Sequence, residues 1–196
     1  MRGIVITTSE FTQDFLRPLL DSIEDVKYPV LVVSNGGYNP NDYKLPPDYN
    51  RRVSKLDIDM VINDWNGWEL GGIQRGKEKF EEFVHIMDTT LIKDISLFDK
   101  LFAIEGNVAL TKDHFHYMGK YVSKLIPNTP RMNSKELAIF HETTWLDKSK
   151  NYSEFIPDLP VHTDVFETIH GKERMKLEND YMIKWKGTWQ RSAEHP

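Results

Sequence analysis

The sequence predicts an α/β fold of three layers, a mostly parallel sheet between helices, followed by a less regular C-terminal region. Three observations predict it. Residues 3–8, 15–23 and 30–33 run as strand, helix and strand, a βαβ unit that implies parallel pairing and a right-handed crossover. The alternation resumes between residues 70 and 111. Within that second stretch, Phe83-Val-His-Ile-Met87 is mostly apolar with β-branched members and ends on Asp88, which reads as a buried strand with a carboxylate at its end.

Each element has a local reason. Residues 3–8 are a compact β-rich run. Phe15, Leu16, Leu19, Leu20 and Ile23 repeat at helical spacing, with Thr12 or Asp14 able to cap. Pro18 falls in the first turns of that helix, where a missing N–H costs least. The run Val30-Leu-Val-Val33 stops at Ser34-Asn35-Gly36-Gly37, a strong turn signal. Residues 38–50 are rich in Pro, Tyr, Asn and Asp without period, so they predict a surface loop of a length often tied to function. Met60-Val-Ile62 is a candidate short strand, residues 63–69 an aromatic-rich turn, and residues 70–82 a helix. Gly71, Gly72 and Gly76 would weaken that helix by about 1 kcal/mol each relative to alanine. They are tolerated where something packs closely against that face. Ile95, Phe98, Leu101 and Phe102 then recur at helical spacing behind Asp94, a suitable N-cap, and residues 107–111 read as a strand.

After Thr111 the alternation stops. Residues 117–125 predict a helix with Met118, Tyr121, Val122 and Leu125 on one face. Asn133-Ser-Lys-Glu136 looks like a capping box that opens a helix reaching about Trp145. Residues 147–170 are loop-like, and residues 172–191 carry six basic side chains against three acidic ones.

Composition narrows the function. The 196 residues suit one domain, and 39% hydrophobic with 12% aromatic residues suffice for a real core. The net charge of −5 argues against a nucleic-acid partner. There is no cysteine, which excludes disulfides, thiolate zinc sites and cysteine nucleophiles. The first residues hold too short an apolar run for a signal peptide, and no transmembrane run follows, so the expectation is a cytoplasmic protein.

Familiar nucleotide motifs are missing. No Gly-x-Gly-x-x-Gly follows the first strand, Gly76-Lys77-Glu78 lacks the spacing of a P-loop, and no Gly-x-Ser-x-Gly elbow occurs. Asp88 remains. In open α/β sheets ligands bind at the carboxyl ends of strands, which places this carboxylate well for chemistry. The alternative is an Asp that only hydrogen-bonds its own turn.

An ordered set of pieces carries a resemblance. A first strand ends in Thr7-Thr8-Ser9 and is followed by Phe11; then come Tyr28-Pro-Val-Leu-Val-Val-Ser-Asn35-Gly36, Trp68-Glu-Leu-Gly71-Gly72-Ile-Gln-Arg75-Gly76, and the strand ending in Asp88. In this order the chain resembles the GT-A-fold glycosyltransferases, Rossmann-like in their sheet, especially small family-2-like members of the kind phages also encode. The resemblance implies one domain over residues 1–196, with residues 1–111 binding a nucleotide sugar and residues 112–196 forming the acceptor side and a basic tail. It implies transfer of a sugar from a UDP-sugar to a carbohydrate or other acceptor hydroxyl.

Roles follow from the same resemblance. Thr7, Thr8 and Ser9 would contact the base, with Asn35 and Gly36 beside the nucleoside. The helix with Gly71 and Gly72 would let backbone approach the nucleotide, close helix–sheet packing being the other explanation of those glycines. From their place beside the polar motifs, Trp68 and Trp145 could stack on a sugar face or base, core packing being the other reading. The family's metal motif is Asp-x-Asp; Asp88-Thr89-Thr90 keeps the first carboxylate and loses the second, and a hydroxyl attracts Mg²⁺ or Mn²⁺ far less. His162 or His170 would complete the site and favour Mn²⁺. Alternatively Arg75, Lys184 or Lys186 would neutralise the diphosphate. Glu142 is the first candidate for the base that deprotonates the acceptor, and Asp113 the rival. Two other readings compete. A sugar nucleotidyltransferase shares this sheet but normally carries Gly-x-Gly-x-Arg after strand one; a catalytically silent sugar- or protein-binding module would explain Thr90.

Overall fold

The computed structural model describes residues 1–9, 12–36, 56–65, 67–109, 119–128, 131, 134, 136–137, 140, 151–152 and 165–187. β1 (Arg2–Ser9), α1 (Leu16–Ser22), β2 (Val30–Asn35), β3 (Ile58–Ile62), α2 (Trp68–Lys79) and β4 (Glu82–Met87) form the N-terminal half. β5 (Thr90–Ile92), α3 (Ser96–Ala103), β6 (Val108–Ala109), β7 (Gly119–Val122), β8 (Asn151–Tyr152), β9 (Phe166–Ile169), β10 (Lys172–Glu178) and β11 (Met182–Gly187) follow. Among the described residues, a seven-stranded sheet has the order β3-β2-β1-β4-β7-β6-β8, and a second sheet the order β5-β11-β10-β9.

β1 pairs in parallel with β2 and β4, and β2 with β3, as the βαβ pattern requires. β7 alone runs against its neighbours. β1, β2 and β4 are buried on both faces, so their alternate residues feed two cores. Val5, Leu31, Val33 and Phe83 pack with Leu70 and Ile73 of α2. Ile4, Ile6, Val30, Val32, Val84 and Ile86 pack on the other side with Leu16 and Leu19 of α1, Leu97 and Phe98 of α3, and Leu177 and Met182 of the second sheet. This parity decides which polar residues meet at the strand ends. Thr7 falls on the α2 side, and Thr8 and Asp88 fall on the side of the second sheet.

Several expectations need correcting. Residues 117–125 do not make a helix where described; β7 occupies Gly119–Val122 and a single 3-10 turn occupies Ser123–Leu125. Pairing against β4 sets Tyr121 opposite Phe83, ring centroids 5.5 Å apart, and tertiary packing of that kind overrides weak helical periodicity. Lys120 is buried there, its ammonium donating to the carbonyls of Ile104 at 2.8 Å and Gly106 at 2.9 Å. Where described, the basic C-terminal stretch is sheet: β10 and β11 form an antiparallel hairpin, and β9 takes up the end of the supposed loop. Neither Thr12 nor Asp14 caps α1, which opens instead from a 3-10 turn over Gln13–Phe15. Asp94 does serve α3, accepting the Ser96 amide at 2.9 Å. The Leu137 amide donates to Ser134 Oγ at 3.2 Å, which puts that cap one residue after Asn133.

No helix among the described residues is long and apolar enough to cross a membrane.

Candidate functional site

The carboxyl ends of β1 and β4 lie side by side, with Thr7 in register with Met87, and the Asp88 amide donates to the Thr7 carbonyl at 3.0 Å. Asp88 is 0% exposed. Thr8 Oγ1 donates to its Oδ2 at 2.7 Å. Thr12 is held in place by Ser9, whose Oγ lies 3.1 Å from Thr12 Oγ1. Oδ1 of Asp88 has no hydrogen-bond partner among the described residues. Burial pushes the carboxyl up to about 6, while the Thr12 and Thr8 hydroxyls, the Lys184 charge and the Thr89 amide pull it back.

Immediately after Asp88 the chain crosses from the first sheet to the second. Thr90 opens β5 and pairs with Lys184, and the Thr89 carbonyl accepts the Trp185 amide at 3.0 Å. The Lys184 ammonium donates to Thr89 Oγ1 and is only 6% exposed. Arg174 of β10 lies over Phe15, its guanidinium carbon 4.8 Å from the ring centroid. Its Nε is buried without a partner among the described residues, and the Asp88 charge opposes the lowering of its pKa by burial. A buried carboxylate, Thr8, Thr89 and the Lys184 ammonium thus meet where the two sheets join. Such a set can accept a hydroxyl and stabilise an anion.

The other expected residues distribute around this point. On the α2 side, Thr7 Oγ1 lies 2.8 Å from His85 Nε2. A Cβ on Gly72 would come 1.9 Å from Thr7 Oγ1, and one on Gly71 would come 2.6 Å from Asn35 Oδ1. Both glycines therefore let α2 close onto the sheet, the packing explanation of the pair. Asn63 Nδ2 donates to Asn35 Oδ1 at 2.9 Å, and Arg75 Nε donates to Asn63 Oδ1 at 2.8 Å. Arg75 also pairs with Glu78 at 2.9 Å, so its guanidinium ties α2 to the ends of β2 and β3. Gly36, at φ 81°, turns the chain after β2 and its amide donates to the Trp65 carbonyl at 3.0 Å. Trp68 is the first residue of α2. Lys186 pairs with Met175 in the hairpin.

His170 and Gly171 have φ values of 50° and 74° and join β9 to β10 as a tight two-residue turn. The His170 ring sits edge-on to Phe15, centroids 5.1 Å apart. Glu142, Trp145, Asp113 and His162 lie outside the described residues. Among the described residues, no three His, Asp or Glu side chains group as a metal site. Mg²⁺ and Mn²⁺ seek several hard oxygen ligands, and among the described residues Asp88 stands with the Lys184 ammonium on the neighbouring Thr89. The described residues do not fit a divalent cation. Thr12, Thr89 and Arg174 were not among the expected residues. The His170-Gly171 turn signal could have placed Arg174 on a strand, but only tertiary packing sets it over Phe15.

No family model matches the chain, and no curated protein sequence matches it either. Solved structures do match in fold. S. aureus TarS, residues 1–349, in complex with UDP, aligns with a TM-score of 0.53 at 12% identity, over 79% of this chain. This chain spans 58% of that TarS chain. The glycosyltransferase GlyE of Streptococcus pneumoniae TIGR4 aligns at 0.50 and 8% identity, over 79% of this chain and 46% of its own. A Bacillus anthracis protein named for glucose-1-phosphate thymidylyltransferase activity aligns at 0.50 and 10% identity, over 78% and 86%. The likeness at these identities is one of fold: the chain has the GT-A fold, with its mainly parallel central sheet.

Proposed function

We propose that the chain is a glycosyltransferase that moves a sugar from a UDP-linked donor to an acceptor hydroxyl. The observation that carries this reading is Asp88, buried at the carboxyl end of the central parallel strands, with an oxygen that has no partner among the described residues and the Lys184 ammonium held on the next residue, Thr89. Support comes from the UDP and UDP-GlcNAc complexes of TarS, which shares the fold. In this reading Thr7, Thr8, Ser9, Asn35 and Gly36 line the nucleoside end, and Asp88 faces the hydroxyls of the donor. Glu142, or else Asp113, removes the acceptor proton as the hydroxyl attacks the anomeric carbon, and the nucleoside diphosphate departs as an anion.

Calorimetry with UDP, UDP-GlcNAc and UDP-glucose tests it, followed by assay of UDP release. Binding of a uridine diphosphate sugar is expected. A second reading, sugar nucleotidyltransferase, is favoured by alignment over 86% of the thymidylyltransferase chain, and it expects tighter binding of dTTP with a sugar 1-phosphate. No affinity for any uridine nucleotide beside firm dTTP binding would overturn the glycosyltransferase assignment. Donor binding without turnover on any acceptor would point to the silent binding module.

A further inference from the structure

We propose that Arg174, stacked on Phe15 beside His170 and Trp185, binds a carboxylate or phosphate group carried by the acceptor. The inference rests on the glycosyltransferase reading above and concerns a position separate from Asp88. In the register of β9, β10 and β11, Arg174 lies opposite Glu167 and Gly187, and Lys176 lies opposite Trp185. Arg174, Lys176, Glu167 and Trp185 therefore share one face of the second sheet. Lys184 lies opposite Leu177 on the other face, and its ammonium donates to Thr89, the neighbour of Asp88. Arg174 thus belongs to a different position from the Lys184–Thr89 contact.

Phe15 supplies the floor of this position. Its ring is buried, with the Arg174 guanidinium carbon 4.8 Å from the centroid, the His170 ring edge-on at 5.1 Å and the Trp185 ring tilted at 5.8 Å. The Phe15 amide donates to the Thr12 carbonyl at 3.0 Å, and the Thr12 amide to the Ser9 carbonyl at 3.1 Å, which anchors the ring to the carboxyl end of β1. Stacking fixes the guanidinium plane, and its fork of donors matches carboxylate or phosphate oxygens in pairs. The acid across the strand is already committed. Glu167 accepts Trp185 Nε1 at 2.9 Å through Oε2 and pairs with Lys176 at 3.0 Å through Oε1. Gly187, on the other side, offers no side-chain acceptor. Arg174 Nε is buried without a partner among the described residues. A guanidinium held in one plane with an unfilled buried donor calls for an anion from outside the chain. Trp185, fixed by Glu167, adds an aromatic surface for the ring of a sugar. The donor is assigned to the ends of β1, β2 and β4, so the anion at Arg174 comes from the other substrate.

The test is an NMR titration of the protein with glucuronate, glucose 6-phosphate and glucose, with and without saturating UDP. A charged sugar is expected to bind about 10-fold more tightly than glucose, and to do so with UDP present. Glucuronate against glucose 6-phosphate decides between carboxylate and phosphate. Arg174→Gln should reduce the charged sugar to the level of glucose, and Arg174→Lys should recover part of the loss. UDP affinity should stay unchanged in both variants, which a general structural defect would not reproduce. Equal binding of the three sugars, no binding of any, or charged-sugar binding that Arg174→Gln leaves unchanged overturns the proposal and spares the glycosyltransferase reading. Displacement of UDP by the charged sugar, or weaker UDP binding in Arg174→Gln, also overturns it, because Arg174 then serves the donor. Arg174-dependent binding of a charged sugar by a protein with no affinity for any nucleotide sugar supports the anion site and overturns the glycosyltransferase reading.

Discussion

Asp88 is fully buried, and burial outweighs the Thr12 and Thr8 hydroxyls and the Lys184 charge in setting its pKa near 6, up from 3.8. The folded protein therefore binds a proton at Asp88 more tightly than the unfolded chain does. That contribution to stability is fully present below about pH 4 and is lost as pH rises through about 6, because the native state must then hold a buried charge. The gap between the two values is worth about 3 kcal/mol. Asp88→Asn should flatten this part of the stability–pH curve and raise the melting temperature at pH 8, while nucleotide binding is lost. Melting scans between pH 4 and 8 check it, and a variant as pH-sensitive as the parent would count against a buried carboxyl. Gly72 makes the complementary point about space. A Cβ there would lie 1.9 Å from Thr7 Oγ1 and 3.0 Å from His85 Nε2, so Gly72→Ala should force α2 off the sheet and cost about 1–3 kcal/mol in a denaturant titration.

The second sheet depends on its turns. His170 and Gly171 adopt left-handed backbone between β9 and β10, and glycine does so at no steric cost. At the next turn Asn179 Oδ1 accepts the amides of Tyr181 at 2.9 Å and Met182 at 3.0 Å, closing the β10–β11 hairpin. Gly171→Ala should cost about 1–2 kcal/mol. The loss should appear in urea melts. This hairpin was legible only in part. A His-Gly pair between β-rich runs is a hairpin signal, but Lys172-Glu-Arg-Met-Lys-Leu-Glu178 is so charged that it reads as a solvated tail. Its apolar residues, Met175 and Leu177, become a strand face only because the core beneath α1 needs covering.

Across the whole molecule, the candidate site spans two sheets that meet at Asp88-Thr89, so a ligand there clamps them together. UDP at 100 times its dissociation constant should stabilise the fold by about 2.7 kcal/mol, visible as a thermal shift. Hydrogen exchange should slow at the ends of β1 and β4 and in β11, and change little in the half of α2 packed on Phe83 and Val5. Protection confined to α2 would place the ligand on the opposite side of the sheet.

The parallel centre was legible from the sequence alone. Period-two and period-3.6 patterns in residues 3–102 reflect local geometry, and a βαβ order leaves one pairing and one hand. Asp88 was legible too, because an apolar strand run that stops at a carboxylate is a local fact. What surrounds Asp88 was decided only in three dimensions. Thr8 reaches it from the neighbouring strand end, and Lys184 comes to its neighbour Thr89 from a strand nearly a hundred residues away in the chain. Those partners are chosen by sheet register and by the packing of Leu177 and Met182 into the first core, and neither leaves a trace in the spacing of neighbouring residues.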